Sequence, residues 1–230
     1  LIFFGFDKMV GKELSAESLL KNFSKELALS KLWNSRVTTS NLSDALRHVA
    51  GENGVLTGVK PVKEGLRIMG KATTVETASD DWGTVIQGIY AAKRGDVLVI
   101  KCSDDDPAVW GEMASSTAQK RGVVGTVIHG SARDISGIKS LNYPVFSKDV
   151  IPNAGDAKAE GRLNVPVECG KTTVNPGDFI MGDECGVVCV PQGILEDVFR
   201  EAFSIVDNED EIVAKIKKGS SFLEILGIDK

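Results

Sequence analysis

The stretch Gly122-Val-Val-Gly-Thr-Val-Ile-His-Gly-Ser-Ala-Arg-Asp134 decides the reading of this chain. The glycine-bounded, largely apolar run Val123–Ile128 predicts a strand. The run ends in a small-residue turn that presents Arg133 and Asp134 side by side. A guanidinium holds a carboxylate or enolate through paired coplanar hydrogen bonds, and aspartate is a hard oxygen ligand for Mg²⁺ or Mn²⁺. The carboxyl ends of strands in open α/β sheets are where ligands bind. On position alone, an ordinary surface salt bridge explains the Arg-Asp pair equally well.

Upstream, Arg94-Gly-Asp96 forms a turn that opens into a second apolar run, Val97-Leu-Val-Ile100. Residues 111–121 read as a helix with Met113, Ala114, Thr117 and Ala118 on one face, stopped by Gly122. Asp106-Pro107 is an alternative helix start, with aspartate as cap and proline in the first turn. Strand, helix and strand with so short a crossover imply a parallel pair joined by a right-handed connection. Twenty residues separate Glu112 from Arg133, so both can reach the same sheet edge. The helix start around Gly111, Glu112, Met113 and Ala114 offers unpaired N–H groups to a substrate carboxylate, and Gly111 permits close backbone approach. Taken alone, Glu112 is also what a helix dipole favours in any first turn.

Farther out, Leu14, Leu19, Leu20, Phe23, Leu27 and Leu32 predict a helix over residues 11–33, and Ser43 or Asn41 could cap a second helix. Lys71–Glu76 has strand composition, and residues 82–93 return to a helical pattern. Beyond residue 140, short strands at Val145, Val165–Cys169, Thr173, Phe179–Met181 and Val187–Val190 are split by glycine and proline turns. Residues 193–206 and the charged stretch 207–230 read as helical. The expected organisation is a helical extension over 1–40, one α/β domain with a mixed sheet over 41–206, and a helical tail over 207–230.

Composition narrows the function classes. The 230 residues are 42% hydrophobic and 26% charged, ordinary for a globular protein. A net charge of −5 and no basic face argue against nucleic acid as a partner. No stretch approaches the length of a membrane span, and the apolar opening Leu1–Phe6 lacks the flanks of a signal peptide. Cys102, Cys169, Cys185 and Cys189 lack paired metal spacing and read as small buried hydrophobes of a reduced, cytoplasmic protein. The run Asp104-Asp-Asp106 reads as a solvated loop, His129 as a structural histidine at a strand end, and Gly182-Asp-Glu184 as a tight turn. Phosphate-binding, dinucleotide-binding and serine-nucleophile motifs are missing from the sequence.

Together, Lys93-Arg-Gly-Asp-Val-Leu-Val-Ile100, Trp110-Gly-Glu-Met-Ala114, the stretch 122–134, Tyr143-Pro-Val-Phe146, Asn175-Pro-Gly-Asp178 and Gly182-Asp-Glu-Cys-Gly-Val-Val188 resemble the RraA-like family. That family includes the class II 4-hydroxy-4-methyl-2-oxoglutarate / 4-carboxy-4-hydroxy-2-oxoadipate aldolases. The resemblance implies a three-layer α/β/β sandwich and a homotrimeric or hexameric ring. It also implies a lyase that cleaves a 4-hydroxy-2-oxo acid to pyruvate, with oxaloacetate decarboxylation as a side reaction. By the same resemblance, Asp134 holds Mg²⁺ or Mn²⁺ and Arg133 binds the keto acid's oxygen. The backbone at Gly111–Ala114 receives its carboxylate, and Glu112 orients a water for proton transfer. Gly137 departs from the aldolase branch, many of whose members carry an acidic residue there. The family's other role, non-catalytic regulation of ribonuclease activity, is the alternative expectation.

Overall fold

The computed structural model describes residues 36–228, and Arg36–Lys230 form one unit. The helix expected over 11–33 lies outside the described residues. The first described helix, α1 (Thr39–Ala50), starts earlier than either expected cap would place it. Thr38 is the cap: its side chain accepts from the Asn41 N–H while Asn41 reaches back to the Thr38 N–H. There follow β1 (Lys60–Pro61), β2 (Ile68–Thr77), α2 (Trp82–Ala91), β3 (Val97–Cys102), α3 (Glu112–Arg121), β4 (Gly125–Ala132), α4 (Ile135–Leu141) and β5 (Val145–Val150). The second half is β6 (Arg162–Leu163), β7 (Val167–Cys169), β8 (Thr172–Val174), β9 (Phe179–Asp183), β10 (Gly186–Val190), α5 (Leu195–Lys217) and α6 (Phe222–Leu226).

Strands β2, β3, β4 and β5 pair in parallel, and an eight-stranded mixed sheet runs β1-β5-β4-β3-β2-β9-β10 with β6 added beside β2. The sheet is nearly closed: Lys60 Nζ, on β1, donates to the carbonyl of Cys185 just before β10 at 2.7 Å. Alternate residues of the central strands face two separate cores, as strand geometry requires. Leu98, Ile100 and Ile128 pack with Val85, Ile89, Ala114, Ala118 and Ile138 beneath the helical layer α2–α4. Val97, Val99 and Val127 pack on the opposite face with Val167, Cys169 and Val174 of the β7–β8 hairpin, and with Ile180 and Val187. The architecture is therefore the expected α/β/β sandwich.

The helix after β3, expected over 111–121, runs from Glu112 to Arg121 with Gly111 as its cap residue, and the alternative start at Pro107 is not used. One boundary differs from expectation. Strand β4 begins at Gly125 and continues through His129, Gly130 and Ser131 to Ala132. Its far end is held by β5, across a register shift after Ile128, and by a bridge from Trp110 to Ala132. The Gly-Ser-Ala segment read as a turn is thus strand, and Arg133 follows directly on its last residue.

Three cysteines are buried as expected, and burial pushes the thiols of Cys102 and Cys169 up to about 12. Cys185 is exposed, because it sits in the turn between β9 and β10. Among the described residues, no helix is long and apolar enough to cross a membrane.

Candidate active site

The site is assembled where the chain leaves β3 and returns along β4. The segment Ala108–Trp110 runs parallel to the end of β4: the Val109 N–H donates to the Ser131 carbonyl, and the Arg133 N–H to the Trp110 carbonyl at 2.8 Å. Trp110 is buried, and its Nε1–H donates to Ser115 Oγ at 2.7 Å. Ser115 in turn donates to the Gly111 carbonyl, which locks the first turn of α3 against the strand end.

Asp134 has a left-handed backbone, φ 57 and ψ 41, a conformation that aspartate tolerates better than most side chains. This bend turns its carboxylate back toward the start of α3. The Glu112 N–H lies 3.4 Å from Asp134 Oδ2, and Arg133 Nε lies 3.5 Å from the same oxygen. Gly111 explains how the carboxylate fits: a Cβ there would overlap Asp134 Oδ2 and lie 3.3 Å from its Cγ. Glycine at 111 is a matter of room and not of backbone freedom, since its φ of −154 is extended.

A cleft of about 480 Å³ opens beside this pair. Gly111, Met113, Ala114, Arg133 and Asp134 line it, with Trp82, Ile86, Val109, Thr117 and Gly155 among its other walls. Arg133 and Asp134 keep 35% and 40% of their side-chain surface exposed, enough to meet a ligand. No side-chain cap bond closes the N-terminus of α3, and the first helical bond runs from Ser115 to Gly111. The N–H groups of Met113 and Ala114 therefore lack helical acceptors at the cleft wall. Glu112 is placed differently from the other expected site residues. Its backbone touches Asp134, but its side chain lies over Gly137 in the first turn of α4 instead of among the cleft-lining groups.

Sequence reading missed the far wall. Trp82 follows Asp81, whose buried carboxylate accepts from the N–H groups of Gly83, Thr84, Ala159 and Glu160 and from Thr84 Oγ1. Burial alone would raise the Asp81 pKa, but these hydrogen bonds outweigh it and hold the carboxyl well below the usual range. The Trp82 indole donates to the Gly155 carbonyl at 2.9 Å, so the 154–161 loop and α2 form one wall. An aspartate before a helical run signals a helix cap and not a site.

A model of the RraA-like family, described as Aldolase/RraA, matches residues 39–189. An uncharacterized protein of Methanocaldococcus jannaschii is 38% identical over 177 residues, 76% of this chain and 85% of that one. The chain belongs to the RraA-like family. A relative from Halalkalibacterium halodurans, named "Putative 4-hydroxy-4-methyl-2-oxoglutarate aldolase", is 36% identical over 72% of this chain and 78% of its own length. Among solved structures, an uncharacterized protein of Pseudomonas syringae pv. tomato superposes with a TM-score of 0.73 at 32% identity, covering 85% of this chain and 94% of that one. The RNA-processing inhibitor RraA from Thermus thermophilis, at 22% identity and a TM-score of 0.58 over 65% of this chain and 92% of its own, shares the fold.

Proposed function

We propose that this RraA-like chain is a carbon–carbon lyase that cleaves a 4-hydroxy-2-oxo acid and releases pyruvate, assisted by Mg²⁺ or Mn²⁺. The observation that carries this reading is the presentation of Arg133 and Asp134 together, at the end of a parallel strand, into a cleft that also receives the open N-terminus of α3. Its volume falls in the range of small-molecule sites.

The residues present suit a divalent cation of the water-rich kind. Among the described residues, no group of three or more His, Cys, Asp or Glu side chains converges, so a thiolate- or imidazole-rich metal has no seat. Mg²⁺ keeps several waters and is held by one or two carboxylates plus substrate oxygens. Asp134, partly exposed and pinned by Gly111, is such a carboxylate. A cation there supplies Lewis-acid polarisation of the 2-oxo group.

The chain's own groups account for the rest. The Met113 and Ala114 N–H groups, at the positive end of α3, receive the substrate's C1 carboxylate. Loss of the C4 hydroxyl proton allows the C3–C4 bond to break. Its electron pair then passes to C3 and the 2-oxo oxygen as an enolate, and C4 departs as a carbonyl compound. Arg133 donates to that oxygen, where charge develops, and Glu112 orients the water that takes the hydroxyl proton and returns one to C3. Oxaloacetate reaches the same enolate by loss of CO₂, which makes its decarboxylation the expected side reaction.

The test is pyruvate release from 4-hydroxy-4-methyl-2-oxoglutarate and from oxaloacetate, with Mg²⁺ or Mn²⁺ and with EDTA. Release should require the metal. Arg133→Ala should lower kcat about 10²–10³-fold, the range for removing one donor to a developing oxyanion. Metal-independent release, or full activity in Arg133→Ala, overturns the reading.

A further inference from the structure

The contact between Glu112 and Gly137 has no structural necessity in the fold, and for that reason it is informative. Gly137 lies in the first turn of α4 with no left-handed φ, so the backbone does not demand glycine. Alanine at such a position would favour the helix. What occupies the missing side chain's place is Glu112: a Cβ built on Gly137 would overlap Oε2 and Cδ of Glu112 and stand 2.6 Å from its Cγ. All three atoms belong to the far part of one exposed, flexible side chain. A side chain at 137 therefore leaves the fold intact and sends the Glu112 carboxylate elsewhere.

We propose that Gly137 is a positioning residue for Glu112, its bare Cα being the shelf that seats the Glu112 carboxylate against the first turn of α4, the helix that Asp134 begins. This rests on the lyase reading and extends it. Glu112 is tied to the site by its N–H at Asp134 Oδ2, but that bond fixes only its backbone. Its side chain makes no hydrogen bond among the described residues, so its placement depends on the room that Gly137 leaves. Position and charge can then be separated. Gly137→Ala moves the carboxylate without removing it, Glu112→Ala removes it, and Gly137→Asp in the Glu112→Ala background returns a carboxyl carbon, one bond beyond Cβ, to the vacated volume.

The experiment compares wild type, Gly137→Ala, Glu112→Ala, the double Gly137→Ala/Glu112→Ala and Glu112→Ala/Gly137→Asp. Readouts are kcat and KM for pyruvate release with Mn²⁺, melting temperature, and crystal structures of wild type and Gly137→Ala. Gly137→Ala should lower kcat by at least about tenfold, short of the full ~10²–10⁴ of an acid–base group, with KM within about twofold and no loss of melting temperature. The double alanine variant should be no slower than Glu112→Ala, and Gly137→Asp should recover activity lost in Glu112→Ala. In crystals of Gly137→Ala, Glu112 should leave α4 while Asp134 stays in place. Wild-type kcat in Gly137→Ala, losses that multiply, no recovery by Gly137→Asp, or Glu112 unmoved in the crystal each overturns the proposal. A wild-type protein that releases no pyruvate overturns the lyase reading instead, and the crystal comparison still decides whether Gly137 seats Glu112.

Discussion

His129 sits on β4, almost fully buried, with Lys101 Nζ 3.3 Å from its Nδ1. Burial, then the charges of Lys101 and Lys148, lower its pKa from 6.5 to about 4, so the ring is neutral at pH 7 and accepts from the lysine. This supports the structural role expected for His129 and gives it a pH signature. Between pH 6.5 and 4 the unfolded chain binds a proton that the folded chain refuses, so stability falls as the solution is acidified. The full contribution is present above the unfolded value and is lost, by about 3 kcal/mol, as pH drops through the folded one. His129→Gln should flatten the pH dependence of denaturant-midpoint stability across that window, and an unchanged slope would contradict the assignment.

At the scale of elements, Asp81 ties α2 to the 154–161 loop and so shapes the wall of the cleft. Asn in its place offers one acceptor oxygen and turns two donors toward backbone N–H groups. Asp81→Asn should cost about 2–4 kcal/mol, visible as a lower melting temperature, because several buried donors lose their partner. The Asp81 carboxyl is held well below the usual range, so its contribution is in force above ordinary carboxylate pKa values. It is lost only as pH falls through the folded value in strong acid. The central elements were legible in the sequence for related reasons. Val97–Ile100 is an unbroken apolar run because both sheet faces are covered, Val127 and Ile128 give β4 the same character, and the glycine after α3 marks its end. The ends of elements were less legible. His129, Gly130 and Ser131 stay in β4 because of pairing with β5 and packing of the 108–110 segment, which are tertiary causes. Likewise α5 runs unbroken from Leu195 to Lys217, across the boundary expected at 206–207, since the charged surface of its second half has good helix formers.

For the whole molecule, the fold's effect is to bring three distant segments to one sheet edge. Residues 111–114 and 133–134 could be placed together from sequence, because one crossover joins them. The opposite wall could not: Trp82 comes from the start of α2 and Gly155 from a loop without regular pattern, and only the closed path of the chain unites them. The lyase reading carries with it the trimeric or hexameric ring that the family resemblance implies. Light scattering should therefore give three or six chain masses, and a single 24.6 kDa species would count against that assembly.

The proposed chemistry depends on Asp134 being a carboxylate held open for a divalent cation by the glycine at 111. Titration of Mn²⁺ followed by electron paramagnetic resonance tests this without any assumption about substrate. One ion should bind per chain in the wild type, binding should be lost in Asp134→Ala, and Gly111→Ala should weaken it by at least about tenfold, as expected when a supporting contact of a metal ligand is disturbed. Equal Mn²⁺ affinity in wild type and Asp134→Ala would contradict the account.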